Sequence, residues 1–306
     1  MSDETTTLGG RAQRWLQRAV AFPYVWLLLF FLTPFLIILK ISVAEPLVAQ
    51  PPFTPLFEWG QRGIEGVKLT FENYAFLFQD GYYGIIYLSS LKMAAIGTLL
   101  CLLIGYPMAY YIARQPARRR QVLLLAVILP FWISFLLRVY AWIGLLNNRG
   151  VINDVLLYLG VIDEPLTMLY NDFAVYLGIV YSYLPFMILP LYATLEKLDR
   201  TLDEAAMDLG SKPWQVFKDI TLPLSVPGII AGAMLVFIPA TGEYVIPSLM
   251  GRGDSPMIGR VLADEFFQNR DWPVASAVAV ALLAILVVPI MIYNFFQARG
   301  AAAGAQ

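Results

Sequence analysis

Six long apolar runs constrain this chain more than any other feature. They extend roughly over Phe22–Val43, Ile86–Ala113, Val122–Leu146, Phe173–Leu195, Val226–Met250 and Trp272–Gln297. A helix of about 20 residues, rising about 1.5 Å per residue, crosses the roughly 30 Å hydrocarbon core of a bilayer. In that medium each segment must satisfy its own backbone N–H and C=O groups. The runs therefore predict helices, and the chain an all-α integral membrane protein with six transmembrane helices. Charged residues make up 14% of the 306, against about 25% in soluble domains. The fifth run holds Pro227, Pro239, Gly242, Glu243 and Pro247, which predicts a broken or kinked helix lining a cavity.

The lysines and arginines between the runs set the orientation. One side carries Arg11, Arg14, Arg18, Arg114, Arg118–Arg120, Lys197, Arg200, Lys212, Lys218 and Arg299. The other carries only Arg62, Lys68, Arg149, Arg252, Arg260 and Arg270. The excess places both termini in the cytoplasm. Residues 1–21 and 298–306 are then cytoplasmic tails around a transmembrane domain at 22–297, with a cytoplasmic loop at 196–223. The first run is longer than the roughly 7–15 residues of a signal-peptide core, so it is expected to stay as an anchor.

Several chemistries are excluded. The sequence has no histidine, which removes Ser-His-Asp and Cys-His nucleophiles and most zinc sites. Its single cysteine, Cys101, lies inside an apolar run with no metal-ligand companions. No metal site and no enzyme chemistry are expected. Gly210-Ser211-Lys212 lacks the upstream glycine and strand of a phosphate-binding P-loop, so ATP hydrolysis by that route is not available to this chain. A net charge of −1 gives no reason to expect nucleic acid.

The loop at 196–223 reads as two short helices. Thr201 or Asp203 is placed to cap the first, and Leu202, Ala206 and Leu209 share one face at i, i+4, i+7. Gly210 closes it as a left-handed C′ residue. Pro213 opens the second helix, with Trp214 and Phe217 on one side, and Pro223 is expected to end it. A helix lying on anionic lipid would present Lys and Arg. This one presents Asp203, Glu204 and Asp208 around two alanines, which suits docking on another protein.

The spacing Glu204-Ala205-Ala206, Gly210, then Ile220, Leu222 and Pro223 resembles the E-A-A-x3-G-x9-I-x-L-P signature of ABC-importer permeases, with every signature position filled. Ile104–Pro107, Leu129–Trp132, Arg138–Trp142, Leu184–Met187, Phe237–Pro247 and Asn269–Ala277 are similar to the polyamine branch of that family. The resemblance covers roughly residues 70–295. It implies a type I ABC-importer permease fold in a bacterial inner membrane. It also implies that Glu204, Ala205, Ala206, Gly210, Ile220, Leu222 and Pro223 form a coupling helix and turn for a cytoplasmic ABC ATPase dimer. ATP and Mg would sit on that ATPase, leaving this chain without a cofactor. A second permease subunit would complete the path, and a periplasmic or extracellular polyamine-binding protein would deliver the cargo. Putrescine is the first expectation and spermidine the second. The alternatives are another organic cation, an opine or iron, or an ion-coupled secondary transporter.

A charge at the bilayer centre costs about 2.5–3.5 kcal/mol on insertion scales, so each needs a reason. Glu243 has two readings. With Tyr244, Tyr140 and Trp142 it could line a path for ammonium groups, through charge and cation–π contact. Alternatively, it could form an interhelical ion pair with Arg138. Arg138 would repel a cation if it faced the path.

Overall fold

The computed structural model describes the backbone of residues 4–60, 63–79, 81–253 and 257–303. Side chains are described within residues 21–291, apart from 57–65, 67, 80, 254–256, 288 and 289. The side chains of Arg11, Arg14, Arg18, Arg62 and Arg299, which entered the orientation argument, lie outside the described residues.

In chain order, α1 (Glu4–Ser42) is followed by strands β1 (Phe57–Gly60) and β2 (Gly63–Val67), then α2 (Glu72–Gln79) and α3 (Tyr82–Ala113). Next come α4 (Ala117–Ile128), a 3-10 turn at Leu129–Trp132, α5 (Phe135–Leu146), α6 (Val151–Tyr158) and α7 (Asp172–Leu195). The remainder is α8 (Arg200–Asp208), α9 (Pro213–Val216), a π turn at Phe217–Thr221, α10 (Leu222–Thr241), α11 (Val245–Met250), α12 (Ile258–Phe267) and α13 (Trp272–Ala303). The membrane part is all helix. The hairpin between α1 and α2 pairs Phe57 with Val67 and Gly60 with Gly63, and a bulge falls between Glu58 and Trp59.

Among the described residues, four helices are long and apolar enough to cross a membrane: Ala21–Ser42, Tyr82–Ala113, Asp172–Leu195 and Pro213–Thr241. Where a third span was expected, two helical segments, Ala117–Trp132 and Phe135–Tyr158, meet at 90°. Ile133 and Ser134 are extended at the break, just after Pro130, whose ring and missing N–H oppose a continuous helix. In α13 the apolar stretch is described over Trp272–Val287. The fifth run is broken, one of the two forms its prolines and glycine led us to expect. Its helix runs through Pro227 and Pro239 to Thr241, breaks at Gly242–Tyr244, and resumes as α11.

The chain forms two compact units, residues 1–80 with 264–306, and residues 81–263. In the first, α1 packs with α13. Asn73 donates from Nδ2 to the carbonyls of Ser42 (3.0 Å) and Ala44 (2.8 Å), tying α2 to the end of α1. Asp271 accepts from the Val274 N–H (3.1 Å) and so caps α13, with Pro273 in its first turn.

In the second unit, α3, α7 and α10 pack together around Cys101, Ile179, Met187, Ile188, Leu191 and Val236. Small residues allow that approach. A β-carbon on Gly97 would fall 2.8 Å from Ile179 Cγ2, and one on Gly232 would fall 2.8 Å from Met187 Sδ. Asn171 caps α7 by accepting from the Ala174 N–H (3.0 Å).

Candidate functional site

The loop at 196–223 forms as two helical pieces with a turn, but its caps differ from expectation. Asp199 caps α8 by accepting from the Thr201 N–H (3.0 Å). Thr201 is the donor rather than the cap, and Asp203 is taken by an arginine. The backbone N–H and the hydroxyl of Thr201 hold the Asp199 carboxyl below its ordinary value. At the other end, Gly210 has φ +88°, its N–H donates to Met207 O (2.9 Å), and the Ser211 N–H donates to Ala206 O (3.0 Å). These are the two bonds of a Schellman motif, and its left-handed residue is disfavoured for any side chain with a β-carbon.

Pro223 does not end the second helix. The Leu222 N–H bonds to Phe217 O, an i→i+5 bond, and the helix continues from Pro213 to Thr241. A proline lacks the donor for an α-helical bond and clashes with the carbonyl four residues back. The wider π turn ahead of Pro223 absorbs both defects. Ile220 and Leu222 are half-buried in this turn, and Pro223 is exposed.

Aromatic rings hold the turn against α3. Phe217 meets Tyr106 (centroids 5.6 Å) and Tyr110 (5.9 Å) edge to face, and Trp214 stacks on Phe217 (5.4 Å). The Tyr106 and Ser225 hydroxyls are hydrogen-bonded at 2.9 Å. Two ion pairs frame a cleft of about 220 Å³: Arg114–Asp203 at 2.5 Å and Arg120–Glu196 at 2.8 Å. Glu204 and Ala205 are exposed, and Ala206 is half-buried. Beside them Leu202, Met207, Leu209 and Trp214 are exposed as well, Leu209 at 89%.

Within the membrane part, Glu243 has a backbone role that the sequence analysis did not include. It is buried, and its Oε1 accepts from the N–H groups of Tyr244 (3.1 Å), Val245 (3.0 Å) and Ile246 (3.4 Å). Its Oε2 accepts from the Tyr183 hydroxyl. Glu243 thus closes the break between α10 and α11 by satisfying the free N–H groups at the start of α11. Arg138 is not its partner. That guanidinium is buried over the rings of Phe131 (4.9 Å) and Phe135 (5.7 Å), and its Nε and Nη1 have no hydrogen-bond acceptor among the described residues.

Tyr244 and Tyr140 are exposed, at 43% and 57%. Trp142 is half-buried and packs edge-on against Tyr181 (5.4 Å). The structure joins Glu243 to Tyr183 and Tyr244, and gives Tyr140 and Trp142 no hydrogen bond to it. Tyr183 was missed by sequence reasoning. A hydroxyl on the same helical run as Pro185, opposite a carboxylate at a helix break, was the available signal.

Apolar helices long enough to cross a bilayer define a membrane protein, and comparison with known proteins gives its family. Residues 102–299 match the family described as binding-protein-dependent transport system inner membrane component, and the chain belongs to it. It is 43% identical over 229 residues to the spermidine/putrescine transport system permease protein PotB of Salmonella typhimurium strain SL1344, covering 74% of this chain and 79% of that one. It is 39% identical over 274 residues to PotB of Haemophilus influenzae, covering 90% and 91%. Against the crystal structure of a bacterial ABC transporter involved in import of the acidic polysaccharide alginate, the TM-score is 0.63 at 19% identity, covering 96% of this chain and 99% of that one. That likeness shows the shared fold, the type I ABC-importer permease fold. The chain is a multi-pass permease subunit of the inner membrane, in a family that transports rather than catalyses.

Proposed function

We propose that this permease subunit carries a polyamine, putrescine first and spermidine second, with energy from a separate ATPase. The observation that carries the polyamine reading is identity near 40% to spermidine/putrescine permeases over most of both chains. The Glu243 carboxylate, the adjoining Tyr183 and Tyr244, and the exposed Tyr140 offer charge and ring faces suited to a chain with ammonium ends.

In this reading α8 seats on the cytoplasmic ATPase, whose dimer holds ATP and Mg. Glu204 faces basic groups there, and Ala205 and Ala206 permit close approach. Gly210, Ile220, Leu222 and Pro223 carry the turn that joins this helix to α10. A second permease subunit completes the path, and an external polyamine-binding protein delivers the cargo. Both termini lie in the cytoplasm in this reading, which the Lys and Arg distribution supports. ATP and the loaded receptor bind the inward- and outward-open states with different affinities, and that difference moves the ligand.

The test is uptake of labelled putrescine by proteoliposomes holding the complete transporter. Wild-type uptake should require ATP, and Glu204→Lys should abolish it while the protein stays in the membrane and the ATPase no longer co-purifies. Uptake that persists without ATP, or that follows a proton gradient, would overturn the reading.

A further inference from the structure

We infer that the Arg114–Asp203 pair is the joint through which movement of α8 reaches α3, with Asp203 as a positioning residue one place from the docking face. The inference rests on the docking role proposed above for the loop. Asp203 and Glu204 are neighbours on α8, yet Glu204 is exposed while the Asp203 side chain is 15% exposed. One Asp203 oxygen, Oδ2, accepts from Arg114 Nη2 at 2.5 Å. The other, Oδ1, lies 3.5 Å from the Thr221 hydroxyl, at the entry to α10. A single carboxylate therefore bridges the C-terminal end of α3 and the start of α10.

Arg114 is held for this task. It is the residue at which α3 ends, and its guanidinium lies 4.1 Å from the Tyr110 ring centroid, one turn back on the same helix. The Arg200 guanidinium, from the first turn of α8, adds a longer bond of 3.4 Å to the Ala113 carbonyl. The chain itself links α8 to α7 and, through the Gly210 turn, to α10; it makes no direct link to α3. Side chains supply that connection. A partly exposed ion pair contributes little to stability, because solvent screens it and the side chains lose freedom. Its contribution here is geometric. A charge-assisted bond has a preferred length and direction, so α3 follows α8 when the ATPase moves.

The experiment uses the complete reconstituted transporter with labelled putrescine. Arg114→Met and Asp203→Asn should each keep the ATPase through purification and lower putrescine taken up per ATP hydrolysed by roughly tenfold, the size expected for one charge-assisted hydrogen bond. The exchanged pair, R114D with D203R, should regain most of that ratio, a recovery that a general folding defect would not give. Full uptake per ATP in both single variants overturns the joint, as does an exchanged pair no better than either. Glu204→Lys is run beside them. If it keeps the ATPase and wild-type uptake, the docking reading fails and takes the joint with it. If it loses the ATPase while the single variants transport normally, docking stands and the joint alone falls.

Discussion

Glu243 answers a local backbone problem with a single side chain. The break at 242–244 frees the N–H groups at the start of α11, and one carboxylate oxygen takes three of them. A glutamine at this position keeps an acceptor for those groups and loses the charge. Glu243→Gln should therefore assemble with the ATPase as wild type does and transport putrescine more slowly. Glu243→Ala should lower thermal stability as well, by about 1–3 kcal/mol, because buried donors lose their acceptor. Uptake kinetics on liposomes and melting in detergent separate the two effects; unchanged uptake by the glutamine variant would remove Glu243 from the path. Arg138 differs in kind. Ring faces cover its guanidinium, with cation–π attraction of about 0.5–2 kcal/mol, and no carboxylate meets it among the described residues.

At the scale of elements, α10 joins the loop to the membrane part. The π turn at 217–221 makes α9 and α10 one continuous helix, so the loop that carries Ile220, Leu222 and Pro223 is the base of a span rather than a hinged appendage. Farther along, Gly232 lets α10 lie directly against α7. A β-carbon there would sit 2.8 Å from Met187 Sδ and 3.1 Å from the Met187 carbonyl oxygen. Gly232→Leu should separate the two helices and destabilise the unit by about 1–3 kcal/mol or more. Gly84→Ala on α3, where nothing lies within 4 Å, should be neutral or slightly stabilising. Melting temperature and folded yield in detergent compare the two.

For the whole molecule, orientation is the property most open to direct test. Cys101 is the chain's single cysteine and is fully buried, so Cys101→Ala yields a chain without an accessible thiol. Single cysteines introduced at positions 2 and 305 should then react with a membrane-impermeant reagent only after the cells are opened. Labelling in intact spheroplasts would reverse the orientation drawn from Lys and Arg.

The membrane class, the helical runs, the Gly210 turn and the coupling signature were legible in the sequence because each depends on signals close together along the chain. Apolar length reports a bilayer, a glycine before Ser-Lys-Pro reports a left-handed residue, and a twenty-residue spacing reports a family. The caps were only half legible. Several oxygens near residue 200 could accept the same N–H groups, and Asp199 won because the helix begins at Arg200, which leaves Thr201 and Asp203 inside its first turn. The 90° bend at Ile133–Ser134 and the passage of the helix through Pro223 were not legible, because a proline may end a helix, kink it or be absorbed in a wider turn, and packing chooses among these. Glu243 with Tyr183, 60 positions apart, and Arg114 with Asp203, 89 apart, were invisible for a simpler reason. Local sequence carries hydrophobic period and backbone preference. Which carboxylate meets which donor depends on how α3, α7 and α10 pack, and only the folded chain decides that.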